Sequence, residues 1–597
     1  MKLSQIHSAD DLKQCTEAEL LEIAQEIREA IIHRTSIRGG HVGPSLGATD
    51  IILALHYVFN CPGDKIIFDI SHQSYAHKIL TDRLEGFTEE NKFCTVSGYS
   101  NPRESNCDLF HLGHASTALS LACGLVIGRD LNHTKENIIA LIGDGALSGG
   151  EAFEALNHLA TLQSNCIVII NDNDRSIAEN HGGLYTHLKE LRDTNGTCTN
   201  NMFKALGFDY RYIEEGNSVL SLIAEFKSVI NYPRPIILHI HTTKGFGYKA
   251  AEMAPEDFHN PSSFDVTTGA VNKNYSNTYE TIAAKELIAE LETNQSACII
   301  TAATPGGFCL TPEIRQKLGA QYIDVGIAEE HAMTLSAGIA RADAKPILPI
   351  YSTFLQRAYD QLINDVCINN SNALILVYRA SIYGTKDITH LGFSDIPMLT
   401  NIPNLTYIAP TTAEELQASI QFGLQRHDYP VAIRVPAGTP NHEPLGSQGI
   451  TDVSIRSWET VREGREIAII GVGNFYRRAL ALAKAVKAKH AVTPTVIKPL
   501  LISEPDTDLL DRLQENHSLI ITLEDGVIDG GFGQKIAAYY GRQNIKVMNY
   551  GIQKGFYDRY DPDELLRDNH MEIDQILQDI MTTVPSIDTF TAGTAGL

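Results

Sequence analysis

Several things that would point to particular functions are missing from this chain. Basic residues are few: 48 Lys and Arg face 72 Asp and Glu, a formal net charge of −24. No Lys/Arg cluster stands against that balance, so nucleic acid and anionic membrane surfaces are poor partners. No segment reaches the roughly 18 apolar residues that a membrane-spanning helix needs. The opening residues, MKLSQIHSADDLKQ, place no apolar run behind Lys2. Neither membrane insertion nor secretion is expected. The ten cysteines, from Cys15 to Cys367, are scattered and form no C-x-x-C pair, which predicts reduced thiols and a cytoplasmic protein. No short sequence repeat is visible.

What is present is the composition of an ordinary globular protein, 43% hydrophobic and 20% charged, spread over 597 residues. That length predicts two to four domains with ample core. Thr16 and Glu19 form a T-x-x-E capping box ahead of Leu20, Ile23, Ala24, Ile27, Ala30 and Ile31 at helical spacing, so an amphipathic helix opens the chain. Apolar strand-like runs then alternate with helical patterns: NIIALIG (137–143), CIVIIND (166–172) and RPIILHIHT (234–242). This is the rhythm of a parallel sheet covered by helices on both faces. Residues 254–280 lose the periodicity and read as a linker.

A second set of strands follows at 297–303, 321–327, 345–351, 372–379 and 430–435. Residues 437–465 are again polar and rich in Gly and Pro. The third set lies at 466–473, 493–499, 517–525 and 545–551. The expectation is α/β: three doubly wound α/β domains with mostly parallel sheets, divided at 1–270, 271–450 and 451–597.

Residues 137–174 carry the most chemistry. One strand ends in Gly143-Asp144-Gly145, a glycine-rich turn leads towards a helix, and the next strand ends in Asn171-Asp172-Asn173. Asp144 and Asn173 are 29 positions apart, the length of one βαβ unit, so both emerge at the carboxyl edge of neighbouring strands. Mg²⁺ prefers near-octahedral oxygen ligands and takes only one or two carboxylates. Asp144, the amide oxygen of Asn173 and the backbone carbonyl of Arg175 would supply the protein's share. Gly143 and Gly145 let the backbone approach a diphosphate, and a helix beginning after Ala146 would offer it free N–H groups. A G-D-G alone is a common turn. G-D-G and N-D-N at this spacing, each behind an apolar strand, match the thiamine-diphosphate signature.

Beyond this motif the chain resembles the 1-deoxy-D-xylulose-5-phosphate synthase family, within the transketolase-like thiamine-diphosphate enzymes, over essentially its whole length. The matching strings are RGGHVGPSLGATDIILALHYVF (38–59), FDISHQSYAHKILT (68–81), HLGHAST (111–117), TKGFGY (243–248), DVGIAEEHAMTLSAG (324–338) and YSTFLQRAYDQ (351–361). The resemblance implies a magnesium-dependent transferase of isoprenoid and thiamine biosynthesis. It condenses pyruvate, with loss of CO₂, and D-glyceraldehyde 3-phosphate through a thiamine-diphosphate enamine, and works as a cytoplasmic homodimer.

By the same resemblance, Gly113, His114, Ala115, Gly145 and Ala146 line the cofactor and Tyr248 sits near it. Glu329 hydrogen-bonds a ring nitrogen of the aminopyrimidine, and Phe354 stacks on that ring. His41, His72, His259 and His390 are implied as active-site histidines, His72 also touching the cofactor. Tyr351, Arg357, Arg379 and Lys386 surround the substrates. His77, His331 and Glu330, although in the matching strings, read as structural or solvated.

The pattern is broken at four places. Ala437, in Arg434-Val-Pro-Ala437-Gly438, replaces an arginine of the family's acceptor site, and Lys386 stands where the family usually has Asp. Ser71 replaces a usual glycine. The segment after ENHGGLYTHL (179–188) is shorter than usual and would change how the site is covered. The substitutions at 386 and 437 leave open a paralogous thiamine-diphosphate enzyme that passes its two-carbon unit to another aldehyde.

Overall fold

A computed structural model describes residues 1–272, 277–444, 450–452, 454–490 and 492–583. The terminal TFTAGTAGL lies outside the described residues. The chain forms two compact units, Met1–Asn274 with Asp324–Ala328, and Tyr275–Ile323 with Glu329–Leu597.

The first unit is built on a five-stranded parallel sheet: β1 (Lys65–Phe68), β2 (Ile138–Gly143), β3 (Cys166–Asp172), β4 (Asp209–Ile213) and β5 (Pro235–His241), in the order β1-β2-β3-β5-β4. Alternate residues of the central strands feed opposite cores. Ile139, Leu141, Ile167 and Ile169 join one apolar cluster. Ile138, Ala140, Ile142, Val168 and Ile170 join the other. A strand wetted on neither face is apolar on both, which is why these runs are largely continuous rather than alternating. Each buried Ile, Val or Leu side chain contributes about 1.5–3 kcal/mol relative to exposure. The opening helix is Glu17–Arg38, and its capping box forms as the sequence predicts: Thr16 Oγ1 accepts from the Glu19 N–H at 3.4 Å, and Glu19 Oε2 from the Thr16 N–H at 2.7 Å.

The second unit contains two sheets. One has six strands: β6 (Ala297–Thr301), β7 (Tyr322–Asp324), β8 (Lys345–Tyr351), β9 (Leu374–Tyr378), β10 (Thr406–Ile408) and β11 (Val431–Arg434), in the order β10-β11-β9-β8-β6-β7. The other comprises β12 (Glu459–Arg462), β13 (Glu466–Gly471), β14 (Thr495–Lys498), β15 (His517–Val527) and β16 (Lys546–Ile552), ordered β12-β14-β13-β15-β16, with β12 antiparallel to β14. The fold class is therefore α/β with three mostly parallel sheets.

Four short strands differ from expectation. β1, β4, β10 and β12 are three to five residues long, and the half-exposed ones, DYRYI and ETVR, show no apolar run. β12 falls inside the 437–465 stretch, which is a corrected reading. A short antiparallel edge strand can be polar because its ladder is made on one side only. After the helix Lys249–Met253, the described part of the linker holds only turns and one isolated bridge, Phe264 to Val271, before the next helix begins at Tyr279.

Candidate active site

Two groups of predicted residues assemble, one in each unit. In the first unit the carboxyl ends of β2 and β3 are level, with Gly143 opposite Asn171, and the Asp144 N–H donates to the Asn171 carbonyl at 3.1 Å. Asp144 is buried, and its Oδ2 accepts from the Arg175 N–H at 3.1 Å and from Asn180 Nδ2 at 2.8 Å. Burial, reinforced by the neighbouring Asp172 carboxylate, pushes the Asp144 carboxyl well above its ordinary range. Beside it the amide oxygens of Asn173 and Asn180 are buried without a hydrogen-bond partner. Unsatisfied buried acceptors cost about 1–3 kcal/mol each, and a bound cation satisfies several at once. The residues present thus fit Mg²⁺. Asn180 is absent from the sequence-based ligand set because a lone Asn in a loop carries no signal. The contact Arg175 makes here is through its amide to Asp144, not yet through its carbonyl.

The N-D-N turn is held from behind. Asp172 Oδ2 accepts from Arg192 Nη1 at 2.5 Å and faces His239 Nε2 at 2.8 Å, while Arg192 Nη2 reaches Asp174 at 3.0 Å. Thr242 Oγ1 donates to Asn171 Oδ1 at 2.5 Å. Arg192 lies on the helix Gly183–Asp193, which these ion pairs join to the N-D-N turn.

The cofactor loop is placed by Asp69, just beyond β1. Its two carboxylate oxygens accept the Ser116 and Ala118 N–H groups at 2.9 and 3.0 Å, and Ser116 Oγ donates to the Ala146 carbonyl at 2.6 Å. This ties the end of the HLGHAST string to Ala146, and Ala115 and Ala146 share one apolar cluster. One expectation is corrected here. Gly145–Ser148 is a 3₁₀ turn, and the α-helix begins only at Gly150. Gly145 cannot carry a side chain, since a Cβ would lie 2.8 Å from Ser176 Cβ.

His41, His72 and His259 converge from three separate strings. Their ring centroids lie 5.3–5.8 Å apart, and Tyr99 stands 5.3 Å from His41. Complete burial holds His72 and His259 well below the ordinary histidine range, so both are neutral acceptors or donors at pH 7. Lys244, unnoticed in the sequence, is also buried and donates to the Ser176 carbonyl, and desolvation lowers it to about 7. Tyr248 packs on Phe258 and Phe264, and its hydroxyl donates to the Val266 carbonyl at 3.0 Å. His77 is committed to His56 at 2.8 Å and Asp108 at 2.9 Å, which agrees with a structural role.

In the second unit, Glu329 opens the helix Glu329–Arg341, and its buried Oε2 has no hydrogen-bond partner. Burial raises this carboxyl to about 7 against the opposing charge of Arg357. A protonated, unpaired carboxyl suits a basic nitrogen of an aminopyrimidine. Tyr351, at the end of β8, carries the Arg379 guanidinium 4.2 Å above its ring. Phe354 lies 5.5 Å from Tyr351 and 5.6 Å from His390. Gly307 makes room for Tyr351, because a Cβ there would fall 1.6 Å from its hydroxyl oxygen. Lys386 is exposed, and its backbone carbonyl accepts from the Arg559 N–H at 2.7 Å. The peptide of Ala437 is clamped by Asn474, which accepts from its N–H at 3.3 Å and donates to its carbonyl at 2.9 Å. Arg434 is buried and fully engaged with Asp395 and Asp525.

Mostly parallel sheets flanked by helices are a transketolase-like architecture, and family models agree. The model for the transketolase pyrimidine-binding domain matches residues 276–440, and that for the transketolase C-terminal domain matches 456–576. The model described as 1-deoxy-D-xylulose-5-phosphate synthase matches residues 3–199. Curated relatives extend this over the full chain. The 1-deoxy-D-xylulose-5-phosphate synthase of Symbiobacterium thermophilum is 36% identical over 94% of this chain and 92% of its own. That of Carboxydothermus hydrogenoformans is 36% identical over 94% and 96%, and that of Alkaliphilus oremlandii 37% identical over 89% and 90%. The chain belongs to the 1-deoxy-D-xylulose-5-phosphate synthase family. Among solved structures, transketolase from Leishmania mexicana aligns with 97% of this chain and 98% of its own at 16% identity and a TM-score of 0.42.

Proposed function

We propose that the chain condenses pyruvate, with release of CO₂, and D-glyceraldehyde 3-phosphate to 1-deoxy-D-xylulose 5-phosphate. The observation that carries the reading is near-full-length similarity to relatives of that one name, joined to an intact set of thiamine-type residues. The paralogue with another acceptor is not favoured by these relatives.

In this reading Asp144, Asn173 and the Arg175 carbonyl, with Asn180 added, hold Mg²⁺. Gly113, His114, Ala115, Gly145 and Ala146 surround the diphosphate, and Phe354 supports the pyrimidine ring. Bound thiamine diphosphate supplies a carbon nucleophile and an electron sink for decarboxylation. Glu329 holds a proton at its carboxyl and shares it with a ring nitrogen, which its burial favours. Neutral His72 and His259, with His41, offer imidazole nitrogens for proton transfer on the substrates. Arg357 and Arg379 supply guanidinium groups suited to carboxylate and phosphate. The enzyme works as a cytoplasmic homodimer with domain limits near 270 and 450.

The test compares kcat/KM for glyceraldehyde 3-phosphate with other phosphorylated and free aldehydes, with pyruvate as donor. The triose phosphate should be preferred. Poor use of it beside good use of another aldehyde rejects the acceptor assignment.

A further inference from the structure

Lys386, where the resemblance implies an Asp, has an exposed side chain. The carboxylate nearest His390 belongs to the next residue, Asp387. Asp387 Oδ1 accepts from the Thr389 N–H at 3.0 Å and from the Thr389 hydroxyl at 2.8 Å, and lies 3.9 Å from His390 Nδ1. Thr389 Oγ1 in turn sits 2.8 Å from His390 Nδ1. The loop is pinned to the helix after β8, Ser352 Oγ donating to the Gly392 carbonyl at 2.6 Å and Thr353 Oγ1 to the Thr389 carbonyl at 3.5 Å. The same helix carries Phe354, whose ring meets His390 edge-on.

The directions of these bonds fix a tautomer. Burial raises the Asp387 carboxyl, but the Thr389 hydrogen bonds and the nearby His390 imidazole outweigh it and keep it below the usual carboxylate range, so Asp387 is an acceptor only. The Thr389 hydroxyl spends its single proton on Asp387 and can only accept from the imidazole. His390 must then carry its proton on Nδ1, leaving Nε2 as the basic nitrogen.

We propose that Asp387 and Thr389 are positioning residues that hold His390 in its Nδ1–H tautomer and present Nε2 as the base that takes the hydroxyl proton when the ketone product is released in the second half-reaction. The role of His390 rests on the synthase reading, whereas the relay itself does not.

Two measurements on the holoenzyme test this. Nitrogen-15 NMR of labelled histidine, with His390 assigned by comparison with His390→Gln, should show His390 protonated at Nδ1 in the wild type. Thr389→Val should shift it towards the other tautomer, and Thr389→Ser should restore the wild-type signal. In steady state, Thr389→Val and Asp387→Ala should lower kcat about tenfold or more, with KM for pyruvate within about twofold, while Thr389→Ser retains most of kcat. An Nε2–H signal in the wild type, an unchanged tautomer in Thr389→Val, or an undiminished kcat in both variants overturns the proposal. If the wild type shows no turnover with pyruvate and the triose phosphate, the synthase reading fails, and the NMR result still decides the relay.

Discussion

Replacing Glu329 by Gln should make the cofactor-free protein more stable at alkaline pH, an unusual direction for a change at a candidate catalytic residue. The carboxyl is buried, unpaired at Oε2, and raised from the ordinary 4.5 to about 7 by desolvation. A rise of that size corresponds to about 3 kcal/mol at about 1.4 kcal/mol per tenfold change. The folded state therefore holds a proton that the unfolded chain has lost between pH 4.5 and about 7. Stability from this group is fully present below 4.5 and falls as pH rises through about 7. Glutamine has no such proton to lose, so the variant's advantage should grow by about 2.5 kcal/mol between pH 5 and pH 8. The single tryptophan, Trp458, is buried in the same unit and reports its unfolding in urea. An advantage that is the same at both pH values, or one that shrinks towards pH 8, refutes the argument that desolvation raises this carboxyl.

The metal-type pocket gives two more expectations. Asn180→Ala removes a donor to Asp144 and a buried amide oxygen, and should weaken Mg²⁺ binding about 10–100-fold by titration calorimetry in the presence of thiamine diphosphate. Arg192→Ala frees Asp172 and Asp174 from their shared guanidinium and should weaken Mg²⁺ by a similar factor, with Arg192→Lys intermediate. Unchanged affinity in either variant removes that residue from the site. Arg434→Ala leaves the Asp395 and Asp525 carboxylates buried without their partner and should cost about 3–5 kcal/mol in urea unfolding followed by Trp458 fluorescence.

The parts of this molecule legible in the sequence were those with a period or a motif. β3 and β8 run over the residues their apolar runs predicted, because central strands buried on both faces are apolar along their middle, with polar residues such as Asn171, Asp172 and Lys345 only at their ends. The short edge strands β4 and β12 carry charge on their exposed face and gave no such signal. Asp144, Asn173, His41 and His72 were visible because each sits in a string of recognisable composition, whereas His259 lies in the 254–280 stretch and was marked only by the resemblance. Asn180, Lys244, Asp69 and Arg192 were not, since their importance arises only when distant segments fold together. Asp387 was passed over for its neighbour Lys386, because a sequence position does not say which of two adjacent side chains turns inward.

The most direct test of the central claim is to incubate the purified chain with ¹³C-pyruvate and D-glyceraldehyde 3-phosphate, with and without thiamine diphosphate and Mg²⁺, and to follow products by NMR. The account predicts 1-deoxy-D-xylulose 5-phosphate and CO₂ in equal amounts, only when both additions are present. Release of CO₂ without that sugar phosphate, or turnover indifferent to thiamine diphosphate, would contradict it.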